Sequence, residues 1–325
     1  MKAKRIIITA IAVCCLLPLL GCANQKEYLS SEATVPAETQ ELKFDNATPN
    51  SHNVEVTTSS DEVVATEPTE KTTVDYANGK LGENIYWSIS VEGLLEIQGT
   101  GEMTDCPWKE HNEYIVEAIV YDGITSVSQY CFYECKNLKK VTLPQSVVKI
   151  GQQAFKLCES LEYVDLPDGI EELPKSLFSG CTNLKDVSFP DELEIIQDWA
   201  FKDCVSLTEL QFPEKLDWIG NNTFEDCTNL SKLHFPQSLR VIGNEAFASC
   251  KKLTSVNIPA NVDSLSNVFP GCSGLREIYF EGDAPTLYVK IFNGINAKCY
   301  YESGNSTWTI TKMSDYGGTI EWIGY

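Results

Sequence analysis

The middle of the chain repeats one pattern of apolar and polar positions at a step of 23 residues. Each copy has an aromatic residue, a cysteine three positions later, a leucine three positions after that, and then a short alternation of apolar and polar residues. A seventh copy follows one residue early. The phenylalanines of the seven copies are Phe132, Phe155, Phe178, Phe201, Phe224, Phe247 and Phe269, and the cysteines are Cys135, Cys158, Cys181, Cys204, Cys227, Cys250 and Cys272. This fixed period predicts a solenoid, because one unit cannot bury its apolar side chains without stacking on its neighbours.

The alternation inside each unit predicts one short strand per turn of the solenoid. In the second unit, residues 146–167, Val164 would face the core while Tyr163 and Asp165 would face outward. Pro167 would end the strand, since proline has no N–H to continue the hydrogen bonds of a sheet. The other arm of the unit has apolar residues spaced by three and five positions, which favours turns or a single helical turn. Aligned copies would then stack their phenylalanines at about 4.8 Å.

The repeated phrases resemble those of a known family. Residues 161–166 read L-E-Y-V-D-L, which matches the L-x-x-L-x-L phrase of leucine-rich repeats. The phrase I-G-x-x-A-F-x-x-C-x-x-L, nearly intact in the second and sixth units, resembles the BspA-like leucine-rich repeat family of bacterial surface proteins. Residues 87–108 and 300–322 look like that family's N-terminal and C-terminal modules. The resemblance covers residues 77–325 and implies an α/β solenoid of seven leucine-rich repeats, built of short strands plus turns or short helices, with two caps.

Caps are expected on physical grounds as well, because an open solenoid end exposes both its core and an unpaired strand edge. Residues 77–121 and 282–325 are rich in aromatic residues and contain glycine turns. We therefore predict that they cap a repeat region at residues 122–281. The alternative is a ligand site on the cap tryptophans, which are Trp87, Trp108 and Trp322.

The first 22 residues have the features of an export signal with a lipid-attachment site. Three basic residues precede an apolar run of 15 residues, 6–20, which is shorter than the about 20 residues of a membrane-spanning helix. The run ends in Leu-Leu-Gly-Cys, which resembles the bacterial lipobox and implies diacylation of Cys22. We predict a lipoprotein signal peptide at residues 1–21 and a membrane anchor through lipid on Cys22. An ordinary secretory signal with a chance cysteine is the alternative.

Residues 22–76 have the composition of a disordered stalk. Between residues 23 and 76 there are 14 serines or threonines, 11 acidic residues and only three aromatic residues, with no apolar period. Such a segment cannot bury enough apolar surface to offset the conformational entropy of its chain. We predict an acidic, flexible stalk between the lipid anchor and the folded part.

The charge of the chain excludes one class of partner. The formal net charge is −21, and removal of the three positive charges of the signal peptide takes it to −24. Nucleic acid is then an unsuitable partner, because its binding depends on lysines and arginines that neutralise phosphates. The sequence has no D-x-[DN]-x-[DN]-G loop for calcium, and acidity of this degree is typical of a soluble surface.

The cysteines favour a reduced structural role. Thirteen cysteines in an exported chain would ordinarily indicate disulfides, but seven of them occupy one phase of the repeat. A small, buried, weakly hydrogen-bonding side chain suits a stacked interior, so we predict free thiols there. The sequence leaves open whether the cysteines outside this phase form a disulfide; they are Cys106, Cys131 and Cys299.

No pattern of catalytic residues appears. The three histidines, His52, His111 and His234, have no partner at metal-ligand spacing, and the chain has no G-x-S-x-G or C-x-x-C phrase. A nucleophilic cysteine beside His234 is disfavoured because the repeat cysteines are expected to be buried and inert. We therefore expect no enzyme activity, no cofactor and no metal.

The remaining candidate site is the outward face of the predicted strands. Its side chains vary from copy to copy within a constant apolar pattern, which suits recognition of a protein or glycan, although an exposed sheet without a partner would show the same variation. The candidate partner-binding residues are Lys140, Tyr163, Asp165, Asp186, Glu209, Gln211, Lys232, His234, Asn257, Glu277 and Tyr279.

These observations favour a lipid-anchored, non-catalytic bacterial surface protein that binds a protein or glycan. The family resemblance implies adhesion to host matrix proteins or to other bacteria. A structural or sensory component of the cell envelope without a host partner is the alternative. The sequence leaves the ligand and the oligomeric state open.

Overall fold

The computed structural model of the chain describes residues 75–288 and 290–325. The predicted signal peptide, Cys22 and the predicted stalk as far as residue 74 lie outside the described residues. The first strand begins at Asp75, two residues before the predicted start of the folded part.

The described residues form 22 strands and one 3₁₀ helix, Pro107–Tyr114. The N-terminal strands are β1 (Asp75–Leu81), β2 (Ile85–Ser90), β3 (Leu94–Gly99) and β4 (Gly101–Glu102). Strands β5 to β13 are Glu117–Val120, Ile124–Val127, Lys140–Thr142, Lys149–Ile150, Tyr163–Asp165, Glu172–Leu173, Asp186–Ser188, Ile195–Ile196 and Glu209–Gln211. Strands β14 to β22 are Trp218–Ile219, Lys232–His234, Val241–Ile242, Ser255–Ile258, Ser264–Leu265, Glu277–Phe280, Thr286–Leu287, Asn296–Tyr301 and Thr319–Gly324.

The chain coils so that alternate strands fall on two sides of one core. The front strands are β5, β7, β9, β11, β13, β15, β17, β19, β21 and β22, of which the seven from β7 to β19 are the predicted strands of the repeats. The rear strands are β4, β6, β8, β10, β12, β14, β16, β18 and β20. Paired neighbours on each side run parallel, and typical register partners are Glu209 with Lys232 in front and Ile196 with Ile219 behind. The N-terminal strands β1, β2 and β3 form an antiparallel meander that joins the front strands through β5.

The sheets are interrupted at three steps. In front, β11 is not paired with β13, nor β15 with β17, and behind, β8 is not paired with β10. The rear interruption has a cause in the sequence. The N–H of Gly151 donates to the carbonyl of Val127 at 2.8 Å, and Gly220 and Gly243 make the same bond in later turns. Pro174 stands at this position in the third repeat and has no N–H to donate.

A proline ends the front strand of six turns and sets the corner to the rear side. Each proline carbonyl accepts a hydrogen bond from the N–H three residues later, as Pro167 does from Ile170 at 3.1 Å and Pro213 does from Leu216 at 3.1 Å. The prediction that proline ends the strand is confirmed. The same carbonyl that fixes the corner also places the next apolar residue, Ile170 or Leu216, in the core.

The repeat phenylalanines form a continuous stack along the solenoid axis. Neighbouring ring centroids lie 5.0 Å apart for Phe132 and Phe155, 5.1 Å for Phe201 and Phe224, and 5.8 Å for Phe247 and Phe269. The interplanar angles of these three pairs are 7°, 5° and 21°, so the rings are parallel and offset. The predicted stacking is confirmed, at a spacing slightly larger than the strand separation.

The repeat cysteines bond each turn to the one before it. The thiol of Cys158 donates to the carbonyl of Phe132 at 3.1 Å, and that of Cys204 donates to the carbonyl of Phe178 at 3.2 Å. Cys181, Cys227, Cys250 and Cys272 make the same contact at 3.0 to 3.4 Å. All ten described cysteines are buried free thiols, including Cys106, Cys131 and Cys299, so none of these three is in a disulfide. Burial raises the pKa of Cys135 to about 12, which keeps the thiol protonated and unreactive.

Two residues per turn adopt left-handed backbone conformations around each stacked phenylalanine. Around Phe224 they are Asn222, with φ of 54°, and Asp226, with φ of 59°. Such φ values strain residues other than glycine, and the structure balances the strain with hydrogen bonds to the next turn. Asn222, Phe224 and Asp226 donate their N–H groups to the carbonyls of residues 244, 246 and 248 at 2.7 to 2.9 Å.

Aromatic residues close both ends of the core. At the N-terminal end, the Trp108 ring lies 6.2 Å from Phe132, and its Nε1 donates to the Cys131 carbonyl at 2.9 Å. At the C-terminal end, Trp308 lies 4.9 Å from Phe280 and 5.5 Å from Trp322. These contacts give both flanking segments the packing expected of caps.

The repeat geometry continues beyond the seven predicted units. Phe292 is buried 23 residues after Phe269 and is flanked by left-handed residues 290 and 294, like the other stacked phenylalanines. Strands β21 and β22 extend the front sheet, and β5 extends it on the N-terminal side. The predicted solenoid is confirmed, with turns and two-residue strands in its second arm. The described residues contain no α-helix.

We expect the phenylalanine stack to make truncation more costly at its centre than at its end. Phe201 is fully buried and contacts Phe178 at 5.3 Å, Phe224 at 5.1 Å and the edge of Phe189 at 5.9 Å, so Phe201→Ala should cost roughly 3 to 5 kcal/mol. Phe269→Ala should cost less, because its only ring contact in the described residues is with Phe247. Urea unfolding of both variants measures the difference. Equal losses would show that the end of the stack is packed as tightly as its centre.

Candidate binding face

Two absences in the described residues bear on function. Within residues 75–288 and 290–325, no group of three or more histidine, cysteine or acidic side chains could hold a metal ion. In the same residues, no helix has the length and apolarity to cross a membrane.

The outward side chains of the front strands form a surface of two columns, which we call the front face. Column one contains Glu117, Lys140, Tyr163, Asp186, Glu209, Lys232, Ser255, Glu277, Lys298 and Glu321. Column two contains Ile119, Thr142, Asp165, Ser188, Gln211, His234, Asn257, Tyr279, Tyr300 and Ile323. All eleven candidate residues of the sequence analysis lie on this face. Nine are exposed, whereas Glu277 and Tyr279 are half-buried.

The candidate residues of the N-terminal half of the face are spread over three adjacent strands. Lys140 pairs with Glu117 of the preceding strand, with Nζ 3.1 Å from Oε1. Tyr163 is the register partner of both Lys140 and Asp186, and 48% of its surface is exposed. Asp165 lies beside Tyr163 in column two. This half of the face therefore presents one exposed aromatic ring between charged neighbours.

The middle of the face contains a charge cluster around Glu209. Its Oε2 accepts from Lys232 Nζ at 3.1 Å, and its Oε1 lies 3.1 Å from His234 Nε2. The hydrogen bond from Lys232 is the largest cause that lowers the pKa of Glu209, and the contact with His234 lowers it further. Gln211 lies next to this cluster as the register partner of His234. One carboxylate thus contacts both basic side chains of the adjacent strand.

The C-terminal part of the face contains two stacked tyrosines. The rings of Tyr279 and Tyr300 are 4.5 Å apart with an interplanar angle of 7°. The Tyr300 hydroxyl reaches Glu277 Oε1 at 3.5 Å. Burial is the first cause that raises the pKa of Tyr279, followed by its hydrogen bond with Glu277. Tyr279 and Tyr300 thus form a stacked aromatic pair in column two.

Glu281, which directly follows β19, joins residues from three turns. Its Oε1 accepts from Asn257 Nδ2 at 2.9 Å, and its Oε2 accepts from Gln237 Nε2 at 2.7 Å. A cleft of about 480 Å³ opens beside it at the unpaired step between β15 and β17. The cleft is lined by Lys232, His234, Gln237, Asn257 and Glu281, among others.

Several residues of this region were missed by the sequence analysis. Tyr300 and Lys298 fall in the segment assigned to the C-terminal cap, where the leucine and proline markers of the repeat are lost. Glu281 and Gln237 lie outside the alternating strand residues and meet across 44 positions. The signal that could have found Glu117 is its spacing of 23 residues from Lys140, because paired charges recur at this spacing elsewhere.

The other candidate places are less suited to binding a partner. Trp108 is fully buried and Trp87 is 8% exposed, so both serve the core of the N-terminal cap, although the Trp87 Nε1 has no hydrogen-bond partner. Trp322 is half-buried within the C-terminal aromatic cluster. A shallow groove of about 900 Å³ lies on the rear side at the Pro174 interruption.

The parallel front strands, the stacked phenylalanines and the 23-residue period define a leucine-rich repeat solenoid. The family model described as "BspA type Leucine rich repeat region (6 copies)" matches residues 111–217 and 181–299. The matched regions together span more than half of the chain. The chain belongs to this family.

Solved structures of similar fold come from several bacteria. A leucine-rich repeat protein from Bacteroides ovatus is 23% identical with a TM-score of 0.51, covering 68% of this chain and 64% of that one. The Treponema pallidum ("T. pallidum") leucine-rich repeat protein is 27% identical with a TM-score of 0.42, covering 66% and 87%. A leucine rich cell surface protein from Faecalibacterium prausnitzii is 19% identical with a TM-score of 0.38, covering 77% and 95%. The chain thus spans 64% of the Bacteroides ovatus structure, and no curated protein matches it.

We expect Lys232 to control the ionisation of Glu209. In the wild type, the pKa of Glu209 should lie below its ordinary value of about 4.5. The ion pair with Lys232 therefore stabilises the fold above about pH 4.5, and this stabilisation is lost as the pH falls through the lowered pKa. Lys232→Ala should raise the pKa of Glu209 toward its ordinary value. Carbon-detected NMR titration of the Glu209 carboxyl carbon measures both.

The matched control for this titration is Lys185→Ala. Lys185 contacts Glu162 at 2.7 Å in the same way, and these two residues lie one and two turns before Glu209. The pKa of Glu209 should not change in this variant. An unchanged pKa of Glu209 in Lys232→Ala would contradict the charge cluster described above.

Proposed function

We propose that the chain is a lipid-anchored, non-catalytic protein of the bacterial cell surface that binds a protein or glycan partner through its front face. The observation that carries the proposal is the front face itself. Two columns of differing side chains, most of them polar or aromatic, extend over ten front strands and stand on an almost constant apolar interior. A partner would meet successive side chains at a regular spacing of about 4.8 Å.

Three further observations support this function. The family is that of BspA-type leucine-rich repeats, whose bacterial surface members suggest an adhesion role here. Tyrosines, which concentrate binding energy at interfaces, occur on the face at residues 163, 279 and 300. The buried cysteines have raised pKa values, which argues against a reactive nucleophile among them.

The alternative is a structural or sensory component of the cell envelope without a host partner. It would have the same anchor and the same fold, and its front face would serve solubility alone. Tyr163 is 48% exposed on the front face, so its ring is open to a partner. We favour the binding function for this reason.

The anchor is tested by changing Cys22. Cys22→Ala should move the protein from the detergent phase to the aqueous phase in Triton X-114 partitioning, because diacylation at this cysteine would be abolished. Cys15→Ala, in the apolar run of the signal, is the matched control and should partition like wild type. Retention of Cys22→Ala in the detergent phase would place the anchor elsewhere.

The binding face is tested with a combined Tyr163→Ala, Glu209→Ala, Tyr279→Ala variant. The full-length chain is screened against immobilised matrix proteins and glycans, and the variant is compared on every surface that binds wild type. We expect a loss of at least about tenfold in affinity with little loss of stability, because Tyr163 and Glu209 are exposed. The control is a triple variant on the rear strands, Lys149→Ala, Glu172→Ala, Trp218→Ala. Loss in the control and not in the front variant would refute the front face as the binding site.

A further inference from the structure

The cleft between β15 and β17 is a place on the front face where several polar groups converge on a cavity. Its volume of about 480 Å³ lies within the range of about 300 to 1,000 Å³ that is usual for small-ligand sites. It opens because β15 and β17 are not paired with each other. Among the described front strands, β11 and β13 are the other unpaired neighbours. A ligand could therefore enter between side chains that elsewhere pack from strand to strand.

The polar groups of the cleft are held in place before a ligand arrives. The Glu281 carboxylate accepts one amide N–H on each oxygen, from Gln237 and Asn257. These bonds fix the orientation of the carboxylate and of both amide groups, while each carboxylate oxygen keeps a lone pair for another donor. Preorganised groups of this kind reduce the entropy lost on binding. The cleft thus offers carboxylate and amide oxygens as acceptors and amide N–H groups as donors.

The lysine of the cleft is already paired with a carboxylate. Lys232 contacts Glu209 Oε2, and His234 lies against Oε1 of the same carboxylate, so the charge of Lys232 is balanced within the protein. Glu281, which lines the cleft, and the overall charge of −21 oppose an anionic ligand. A neutral ligand that both donates and accepts hydrogen bonds fits this arrangement best.

The strand next to the cleft carries an aromatic ring beside Asn257, which lines the cleft. Tyr279 is the register partner of Asn257 on one side and of Tyr300 on the other. The Tyr300 ring is stacked on Tyr279 at 4.5 Å, so one face of the Tyr279 ring is covered. On the side away from Tyr300, the neighbour of Tyr279 in the column is Asn257. The negative face of an aromatic ring attracts the weakly positive C–H groups of an apolar ligand surface.

A neutral saccharide has both of these properties, because hydroxyl groups surround its ring and C–H groups form its two faces. The geometry points to a saccharide-binding subsite in which Glu281, Asn257, Gln237 and His234 bind hydroxyl groups and Tyr279, backed by Tyr300, packs against a sugar ring. This inference rests on the proposed front-face function and names the class of ligand for its C-terminal part.

The test is binding of the full-length chain to an array of neutral oligosaccharides of glucose, galactose, mannose, xylose and N-acetylglucosamine. Wild type should bind at least one of them, and calorimetric titration with that oligosaccharide should give a measurable affinity. Tyr279→Leu and Glu281→Ala should each weaken the affinity by at least about tenfold. Tyr279→Phe, which keeps the ring, should stay within about threefold of wild type.

The matched control is Tyr163→Leu, which removes an exposed tyrosine from the same face several turns away and should leave saccharide affinity unchanged. Thermal unfolding checks that each variant is folded, and Glu281→Ala, an exposed change, decides the matter if Tyr279→Leu does not fold. The inference is overturned if no neutral oligosaccharide binds wild type, or if binding is the same in Glu281→Ala. Binding of a protein that depends on Tyr163 while the array stays silent would refute the saccharide subsite and leave the front-face function standing. If saccharide binding and protein binding are both unchanged in every front-face variant, the saccharide subsite and the front-face function are both refuted.

Discussion

The structure depends on hydrogen bonds that each turn makes with the next along the solenoid axis. They occur between front strands, between rear strands and on the turns around the stacked phenylalanines, where Asn222, Phe224 and Asp226 donate to the following repeat. All of these bonds require that equivalent residues of adjacent turns lie directly above one another along the solenoid axis. A nearly constant period is the consequence. The step is 23 residues in most turns, and the shorter step from Ser255 to Glu277 keeps its strand pairing.

This constraint explains which residue types fill the interior. A phenylalanine in every turn stacks only if its neighbours are in register, and a cysteine three positions later can then reach the carbonyl of the preceding phenylalanine. A leucine at that position would fill a similar place without donating a hydrogen bond. The thiol is small enough to be buried and polar enough to contact the carbonyl, so it satisfies both requirements. Residues in left-handed conformations are tolerated for the same reason, since their N–H groups gain partners in the next turn.

The parts of the fold that recur were predictable from the sequence, and the parts that depend on departures from recurrence were not. The stack from Phe132 to Phe269, the cysteine phase and the two columns of the front face follow from spacing and alternation alone. Phe292 was missed because it lies in the segment assigned to the cap, where the spacing between phenylalanine and front strand changes. Phe292 precedes Cys299 by seven residues, whereas Phe269 precedes Ile278, the register partner of Cys299, by nine. The hydrogen bonds of Glu281 to Gln237 and Asn257 were missed because they depend on how three successive turns are placed relative to one another. The interruption at Pro174 could have been read from the Leu-Pro that replaces Ile-Gly.

The regular period also limits how a chain of this kind can change in length. Turns one or two residues shorter than 23 occur at the C-terminal end, where Ser255 pairs with Glu277 and Glu277 pairs with Lys298. Duplication of a whole 23-residue unit would reproduce every neighbouring contact. Growth by whole units is therefore the change in length that disturbs the fold least. Each added unit lengthens the front face by one strand, about 4.8 Å, and adds two outward side chains to it. A protein built in this way can extend its surface in small steps, each of which brings new residues without a new fold.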